Sequence, residues 1–555
     1  MSSLLLGLSV YASGLVLYSA LFLFTANQDP GVQTFKIGIA AIHSFVVILP
    51  VLLAQSRHLI FKVSGYASLF FYLLYAIFVV GYFQYFGFVP ELYSYGMSNA
   101  ADMGEVLNHY FAQIFGIREI LLLGLGATIF YLTARHRISA YLLLLPCLSG
   151  VLLAISLATF GAPARSDALG NVTLLRRFGP VVFSAHSIVE RFSLSRGYLA
   201  AATDHPGQIS ALAKPGLSDT PSVVGQPEGI QRVILLQIES FDPEAIEAEL
   251  SGLKVMPFVA RLRDHCLNYA NFFTLKGAGG SSDAEFSIAT GLLPSLTVPA
   301  LRHLDYARYP TIYERLAEAD VTSTFAHNNQ AGFYGRNSAY RQMKGVRAQF
   351  LQLNGVLTEL AFAERSLRAT LQETGKTFHY FFNFQSHGPY RGYSKATADR
   401  FSKDSAGDLK FDYLATMSEV DGLIERLFGM QRSEFGEGKT LFILTADHPS
   451  YVLSDSSTVG QFRIPLLACH ESFGGGTVKD VFSTLDLHVT LLDVFGLEPE
   501  QQLGRSIFGE GANAALLPGG TLIRRSSDGE VTTERCGAAC KPFFDYTAQF
   551  LSISP

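Results

Sequence analysis

Long apolar stretches separate the N-terminal part of the chain from the rest. Five of them approach about 20 residues, the length of helix that crosses a bilayer core. Helices satisfy every backbone polar group at that depth. The stretches occupy residues 4–26, 35–53, 63–86, 115–132 and 141–160. Residues 1–160 are therefore predicted to form an α-helical transmembrane domain of five helices.

The charges of the connecting loops predict the orientation of these helices. The second loop carries Arg57 and Lys62, and the fourth carries Arg135 and Arg137, whereas the third loop, residues 87–114, has neither Lys nor Arg. Basic loops remain on the cytoplasmic side. We therefore expect a multi-pass protein of the bacterial cytoplasmic (inner) membrane, with a cytoplasmic N-terminus and with everything after residue 160 outside the cytoplasm, on the periplasmic side.

Residues 161–230 are predicted to be a juxtamembrane connector. Residues 172–192 alternate apolar side chains with Arg176, Arg177 and Arg191, a pattern typical of a helix lying on a membrane surface. The following stretch to residue 229 is rich in Pro, Gly and Ser, which favours a linker.

From residue 231 the pattern changes to short apolar runs that alternate with amphipathic segments. Runs at 233–238, 322–327, 378–384 and 440–446 are almost continuously apolar, as expected of buried strands. Segments 311–319 and 413–430 have helical periodicity. This alternation predicts an α/β domain over residues 231–510 with a mostly parallel sheet flanked by helices. Residues 511–555 are a C-terminal extension.

The composition supports this division. Hydrophobic residues make up 49% of the chain and charged residues only 16%, whereas a soluble protein usually has roughly 25% charged residues. The low share of charged residues is explained if the chain combines a membrane domain, which has few charges, with a soluble domain of ordinary composition. The net charge is −5. A nucleic-acid-binding protein would instead show a stripe of basic residues, so nucleic acid is excluded as a partner.

The five cysteines are too few for a disulfide scaffold. Cys266 and Cys469 each stand alone in the sequence. Cys536 and Cys540 are close enough for a local disulfide in an oxidising compartment. The sequence leaves two alternatives for this pair, a disulfide or two free thiols.

Three predicted strands end in residues that carry chemistry. Glu239 follows the first, His387 comes soon after the third, and Asp447 and His448 follow the fourth. Ligand sites in parallel sheets gather at these ends, and buried carboxylates and imidazoles are costly unless they are paired or metal-bound. Together they predict a metal or phosphate site.

A glycine-rich loop, residues 277–291, leads directly into Ser281, Ser282 and Asp283. One interpretation is a turn with Ser or Asp as a helix N-cap. The other places a serine hydroxyl at a helix N-terminus that favours a bound anion, where an adjacent cation would make that hydroxyl a nucleophile. The pattern alone leaves open whether Ser281 or Ser282 would be that nucleophile.

With these elements in order, residues 233–508 resemble the alkaline phosphatase/sulfatase superfamily, and specifically the lipoteichoic acid synthase family of phosphoglycerol transferases. The resemblance rests on five segments: IES at 238–240, GxGxxSDAEF at 277–286, HNNxxxFYGRN at 327–337, ADH at 446–448 and FSTLDLHVTLLDVFGL at 482–497. The five-helix membrane module resembles that of the family as well.

The resemblance implies a set of site residues. One divalent cation would be held by four ligands: Glu239, Ser281, Asp447 and His448. Mn²⁺ is preferred, with Zn²⁺ or Mg²⁺ as alternatives. The family's nucleophilic threonine is replaced by Ser281. The resemblance further implies that His387 contacts the substrate phosphate or assists the leaving group, and that Arg336 binds the phosphate.

Two substrate-binding positions depart from the family pattern. Asn329 stands where the family has a carboxylate, and Tyr334 where it has a tryptophan. Segment 386–390, SHGPY, resembles lipid A phosphoethanolamine transferases more closely. These departures affect the identity of the headgroup rather than the chemistry of its transfer.

The resemblance implies transfer of phosphoglycerol from the membrane phospholipid phosphatidylglycerol to a hydroxyl of an extracytoplasmic glycan, lipid or polymer, through a covalent phosphoserine-type intermediate. The alternatives are a phosphoethanolamine transferase acting on lipid A or glycan, a membrane-anchored phosphodiesterase and a non-catalytic binding protein. A sulfatase proper is excluded, because residues 281–285, SSDAE, lack the Pro and Arg of its modification motif.

Overall fold

The computed structural model describes residues 58–71, 207–212 and 225–551, with short gaps in the first and last stretches. The chain divides into two compact units, Met1–Ser193 and Leu194–Pro555. Among the described residues no helix has both the length and the apolar character needed to cross a bilayer. Apart from some helical residues between 63 and 71, the five predicted spans lie outside the described residues, as does the predicted surface helix at 172–192. They stay predictions.

The described residues of the second unit form thirteen strands. Their bounds are β1 Arg232–Ile238, β2 Glu249–Leu250, β3 Leu253–Lys254, β4 Leu267–Phe273, β5 Val321–His327, β6 Val346–Phe350, β7 Lys376–Phe382, β8 Thr440–Ala446, β9 Leu466–Cys469, β10 Gly476–Ser483, β11 Ala514–Leu517, β12 Thr521–Arg525 and β13 Val531–Arg535.

Eight of these strands form the central sheet, in the order β10-β4-β9-β8-β1-β7-β5-β6. Strand β9 is antiparallel to its neighbours β8 and β4, and the other seven strands run in one direction. Every residue of β1 and of β8 is buried, as expected of strands covered on both faces. The predicted mostly parallel sheet is confirmed, and all four predicted strands belong to it.

Helices flank this sheet. Their bounds are α1 Pro257–His265, α2 Ser281–Thr290, α3 Ala300–His303, α4 Ile312–Glu318, α5 Arg336–Gln342, α6 Glu359–Leu371, α7 Lys395–Arg400, α8 Leu409–Phe435, α9 Thr484–Val494 and α10 Lys541–Ala548. The predicted helical segments 311–319 and 413–430 are α4 and the central part of α8. Helix α2 is buried along its whole length and packs against α9, which holds its N-terminus in a fixed position.

The C-terminal residues add a second, antiparallel sheet of β11, β12 and β13. Strands β11 and β12 pack against β10 of the central sheet, and all four residues of β11 are buried. The C-terminal extension is therefore packed onto the domain. A short hairpin, β2–β3, completes the strands of the described residues.

Within the part of the chain that the structure describes, two disulfides are present, Cys266–Cys469 and Cys536–Cys540. The expectation that Cys266 and Cys469 stand alone is therefore wrong. Cys266 immediately precedes β4 and Cys469 ends β9, and the antiparallel register opposes Leu267 to Ala468. Strand pairing thus brings together two cysteines that are 203 residues apart in sequence.

Removing the bridge by the double change Cys266→Ala/Cys469→Ala is expected to lower the free energy of unfolding by about 2–5 kcal/mol, because a cross-link over a long loop restricts the unfolded chain. Urea unfolding monitored by tyrosine fluorescence measures this loss, since the chain has no tryptophan. The matched control is Cys536→Ala/Cys540→Ala, which opens a loop of sequence separation 4. Equal losses for both pairs would contradict the long-loop explanation.

Candidate active site

The site lies where β7, β1 and β8 end side by side. The parallel register places Gln237 beside Phe382 on one flank and Ile238 beside Ala446 on the other. The residues that follow these strands therefore emerge at one edge of the sheet. This explains why Glu239 and Asp447, which are remote in sequence, become neighbours.

Glu239, Asp447 and His448 form a compact cluster of ligand atoms. Nε2 of His448 lies 3.3 Å from Oε1 of Glu239 and 3.2 Å from Oδ2 of Asp447. One ligand atom from each residue lies within 4.8 Å of the others, and all three residues are buried. The structure thus brings three of the four predicted cation ligands together.

Several hydrogen-bond acceptors of the cluster face one another without a donor proton between them. The Nδ1 atom of His448 lies 2.9 Å from the carbonyl oxygen of Pro449, so the tautomer assigned from this contact has its proton on Nδ1 and a lone pair on Nε2. Oδ2 of Asp447 is buried and has no hydrogen-bond partner among the described residues. Buried acceptors that face one another are costly, and a divalent cation between them would remove that cost.

The backbone aims Asp447 at this centre. Its other oxygen, Oδ1, accepts hydrogen bonds from the backbone N–H groups of Ser240 and His448, each at 2.8 Å. Ser240 adopts a left-handed conformation with a φ of 55°, which is strained for a residue with a side chain and is common at functional sites. One carboxylate oxygen is thereby bound to the protein and the other is directed to the cation position.

Ser281 is the fourth member of the cluster. It is the first residue of α2, and its Oγ lies 3.3 Å from Oε1 of Glu239 and 3.3 Å from Nε2 of His448. The neighbouring Ser282 is different, because its Oγ donates to the carbonyl oxygen of Gly279 at 2.8 Å and its side chain is fully buried. Of the two candidate nucleophiles, Ser281 is therefore the one whose hydroxyl contacts the ligand cluster in the hydrogen bonds described here.

The glycine-rich loop is held by Asp283. Its Oδ2 accepts hydrogen bonds from the N–H groups of Gly277 and Gly279 at 2.7 and 2.9 Å. A Cβ atom at Gly279 would lie 2.3 Å from Oδ1 of Asp283, so this position has no room for a side chain. Burial raises the pKa of Asp283 to about 8, against the effect of these bonds. The sequence pattern alone predicts no role for this aspartate beyond a possible N-cap.

Burial changes the ionisation of two residues of the cluster. Burial, together with the neighbouring carboxylate of Glu239, raises the pKa of Asp447 to about 7. Burial lowers the pKa of His448 to about 4, so its imidazole is neutral at neutral pH and suited to ligation. Three oxygen donors and one imidazole suit Mn²⁺ and do not exclude Zn²⁺.

These pKa values predict that cation affinity falls in acid. Below a pH of about 7 a proton occupies Asp447 in the metal-free protein and competes with the cation, so the apparent affinity for Mn²⁺ should fall by up to about tenfold per pH unit. Titrations followed by electron paramagnetic resonance of free Mn²⁺, at pH values of about 6 and about 8, measure the change. An affinity that stays constant or rises on acidification would contradict this reading of the cluster.

Arg336 lies at the N-terminus of α5 and is almost completely buried. Its Nε donates to Oε2 of Glu285 at 2.8 Å. The guanidinium lies 5.6 Å from the centre of the Tyr334 ring and 5.4 Å from that of Phe382. Its Nη2 is buried and has no hydrogen-bond partner among the described residues. Arg336 is thus fixed by Glu285 and still has a donor for an anionic ligand.

The other predicted substrate-binding residues lie on the loops after β5 and β7. Asn329 is buried just beyond β5, and Tyr334 is half-buried with a φ of 55°. His387 is half-buried. Its ring packs against that of Phe384 in a tilted arrangement with ring centres 4.6 Å apart, and its Nδ1 lies 2.7 Å from the carbonyl oxygen of Gly388. Burial, and to a smaller extent the presence of His387, lowers the pKa of His448, which indicates that His387 lies near the cluster.

His327, the last residue of β5, is a possible site residue for which the sequence alone predicts no role. Its Nδ1 lies 3.0 Å from the carbonyl oxygen of Phe382, and its buried Nε2 has no hydrogen-bond partner among the described residues. Burial, with a smaller contribution from Arg336, lowers its pKa well below the usual range. The available signal was the one that identified Glu239, a polar residue at the end of an apolar strand.

Comparisons with known proteins show which proteins this chain is similar to. Residues 231–497 match the family described as Sulfatase. The chain is 22% identical over 367 residues to a lipoteichoic acid synthase-like protein of Bacillus subtilis, covering 58% of this chain and 59% of that protein. It is 21% identical over 376 residues to the lipoteichoic acid synthase of Staphylococcus aureus, covering 62% and 57%. The chain thus spans less than two thirds of the length of these relatives.

A solved structure shares the fold. The integral membrane lipooligosaccharide phosphoethanolamine transferase of Neisseria meningitidis is 14% identical to this chain, with a TM-score of 0.53 and coverage of 90% of this chain and 97% of that one. At this identity the likeness concerns the fold alone.

Proposed function

We propose, from the premise that residues 231–497 form a Sulfatase-family domain, that this protein is a metal-dependent phosphotransferase of the bacterial cytoplasmic membrane. It moves the phosphoglycerol headgroup of phosphatidylglycerol to a hydroxyl of an extracytoplasmic glycan, lipid or polymer. Relatives named lipoteichoic acid synthases support this reaction class. The SSDAE sequence of residues 281–285 does not support sulfate-ester hydrolysis.

One observation carries the proposal: the Ser281 hydroxyl lies 3.3 Å from both Glu239 and His448 within a buried cluster of cation ligands. Glu239, Ser281, Asp447 and His448 would hold one divalent cation, for which Mn²⁺ is preferred and Zn²⁺ or Mg²⁺ are alternatives. When bound, the cation supplies Lewis acidity that lowers the pKa of the serine hydroxyl and offsets negative charge on the phosphate.

In the first step, Oγ of Ser281 attacks the phosphorus of the lipid. The bond between phosphorus and the diacylglycerol oxygen breaks, and that oxygen takes a proton to leave as diacylglycerol. Phosphoglycerol remains esterified to Ser281. The N-terminus of α2 favours the negative charge of the phosphate, and positioning with charge stabilisation provides most of the catalysis in phosphoryl transfer.

In the second step, a hydroxyl of the acceptor attacks the same phosphorus and the bond to Ser281 breaks. The acceptor loses a proton and Oγ of Ser281 regains one. His387 is the group we assign to proton exchange in both steps, because its half-buried imidazole follows β7 beside the ligand cluster and an imidazole nitrogen can both accept and donate a proton. Its Nδ1 contact with Gly388 favours a tautomer in which Nε2 is the acceptor.

Arg336 is assigned to the phosphate oxygens. Its pairing with Glu285 orients the guanidinium plane, and the unbonded Nη2 is the donor that would reach the substrate. A buried arginine is suited to this role because it remains charged and presents its donors in a rigid plane. Asn329 and Tyr334 are assigned to the headgroup.

The membrane domain gives the active site access to its lipid donor. With the predicted orientation, the catalytic domain lies outside the cytoplasm. The disulfides Cys266–Cys469 and Cys536–Cys540 are consistent with that side, because disulfides persist in oxidising compartments.

The alternative donor is phosphatidylethanolamine, which the SHGPY segment at 386–390 favours. The purified full chain incubated separately with fluorescent phosphatidylglycerol and phosphatidylethanolamine, with Mn²⁺ and then with chelator, distinguishes the two. We expect diacylglycerol to be released from phosphatidylglycerol and the release to stop with chelator.

The outcomes separate the candidate functions. Release from phosphatidylethanolamine alone would replace the donor but keep the mechanism. Free glycerol phosphate in the presence of acceptor glycan would indicate a phosphodiesterase. If neither lipid loses its headgroup, the transferase proposal is wrong.

A further inference from the structure

A chain of hydrogen bonds connects helix α6 with the candidate cation ligand Glu239. Oε1 of Glu359, the first residue of α6, accepts from Nδ2 of Asn383 at 2.6 Å and from the backbone N–H of Phe384 at 2.7 Å. Oδ1 of Asn383 accepts from the Ser386 hydroxyl at 3.1 Å, and that hydroxyl also lies 2.5 Å from the carbonyl oxygen of Glu239. Asn383 and Ser386 are fully buried, so water does not compete for these bonds.

The same carboxylate reaches a second loop. The side chain of Asn328 hydrogen bonds to Glu359, and Asn328 lies directly after β5. Glu359 therefore joins the loop after β5, which contains Asn329, to the loop after β7, which contains His387. These are the two loops that carry the assigned substrate-binding residues.

Glu359 also determines where the His387 ring can lie. Its Oε1 accepts a hydrogen bond from the backbone N–H of Phe384, and the Phe384 ring packs against the imidazole of His387 in a tilted arrangement, with ring centres 4.6 Å apart. Fixing Phe384 at its backbone therefore fixes the surface on which His387 rests. The contact of Glu359 with the loop after β7 uses a single acceptor atom, Oε1.

We propose that Glu359 is a positioning residue of the transfer reaction, which holds residues 383–388 so that the His387 imidazole faces the Ser281 hydroxyl. This inference rests on the proposed function. Glu359 touches neither the reacting atoms nor the cation ligands' side chains in the contacts described above. Its contribution therefore lies in the geometry of the proton-exchanging group.

The role requires an acceptor rather than a negative charge. Burial raises the pKa of Glu359 to about 8, so its neutral acid is populated near neutral pH. Glutamine closely resembles that neutral acid and keeps an oxygen for Asn383 and Phe384. Glu359→Gln is therefore the conservative variant that should preserve the function, and Glu359→Ala is the variant that should lose it.

Asp421 provides a matched control. Its carboxylate also accepts two backbone N–H bonds, from Phe258 and Val259 at 2.9 Å each, and it links α8 to α1 without contacting either substrate loop through these bonds. Asp421→Ala removes a comparable structural contact at another place in the fold. Any loss of catalysis that merely follows from weaker folding should appear in both alanine variants.

The experiment compares kcat and KM for release of diacylglycerol from fluorescent phosphatidylglycerol, using the full chain with Mn²⁺. Glu359→Ala should lower kcat by about 10–100-fold while KM and the Mn²⁺ affinity change much less, because misplacing a catalytic group slows chemistry more than binding. Glu359→Gln should keep kcat within about threefold of the wild type, and Asp421→Ala should keep kcat while lowering the unfolding temperature.

Equal kcat losses for Glu359→Gln and Glu359→Ala would overturn the inference, as would an equal loss for Asp421→Ala. If Glu359→Ala does not fold, Ser386→Ala tests the next link, and an unchanged kcat in that variant would also overturn it. Ser281→Ala separates the two proposals. If Ser281→Ala is inactive and Glu359→Ala is fully active, only the positioning role fails, whereas an active Ser281→Ala removes the proposed function itself.

Discussion

Replacing Ser281 with alanine should lower the rate of diacylglycerol release by at least about a thousandfold, because the substitution removes the nucleophile while leaving the other ligands in place. The Ser281 side chain makes no backbone hydrogen bond among those described, and its Oγ contacts are to Glu239 and His448. The fold should therefore survive the change. Single-turnover release from fluorescent phosphatidylglycerol measures the rate, and the unfolding temperature reports on the fold.

Ser282→Ala is the control for this prediction. It removes a buried hydroxyl that donates to Gly279 and should reduce stability by about 1–3 kcal/mol while keeping the nucleophile. The opposite pattern, an active Ser281→Ala and a Ser282→Ala variant that is folded but inactive, would assign the nucleophile to Ser282.

Replacing Arg336 with methionine should lower the free energy of unfolding by about 3–5 kcal/mol, because it leaves the carboxylate of Glu285 buried without its partner. Both side chains of this ion pair are almost completely inaccessible to water. Burial already raises the pKa of Glu285 against the opposing effect of Arg336, so removal of the arginine should raise it further. Urea unfolding of the full chain measures the loss.

Two comparisons test this explanation. The double variant Glu285→Gln/Arg336→Met removes both charges and should recover much of the stability. Arg368→Met breaks the pair with Glu434, which is largely exposed, and should have a much smaller effect because water solvates both groups. A double variant that is no more stable than Arg336→Met would show that the loss comes from packing rather than from an unpaired charge.

The sequence predicts the centre of the sheet better than its edges. Strands β1, β7 and β8 are mostly apolar because both faces are covered, and this pattern can be recognised without a structure. Strand β6, at the edge, has only intermediate or exposed residues, and the first half of β10 is mostly exposed. Their mixed patterns resemble those of loops, so local periodicity does not identify them.

The candidate site likewise contains features that a local sequence pattern predicts and features that depend on the order of the strands. Glu239, Asp447 and His448 directly follow buried strands, so the rule that ligands gather at strand ends predicts their proximity. The Cys266–Cys469 bridge depends on β9 running antiparallel between β4 and β8, which no local pattern encodes. The contacts of Glu359 likewise depend on which loops the strand order places beside α6.

Anomalous diffraction from crystals of the full chain grown with Mn²⁺ tests the central claim most directly. We expect one strong peak bonded to Oγ of Ser281, the carboxylates of Glu239 and Asp447, and Nε2 of His448, and we expect the peak to disappear in Asp447→Asn. A peak elsewhere in the fold, with these four side chains bound to no ion, would contradict the account of how a serine oxygen becomes reactive toward phosphorus.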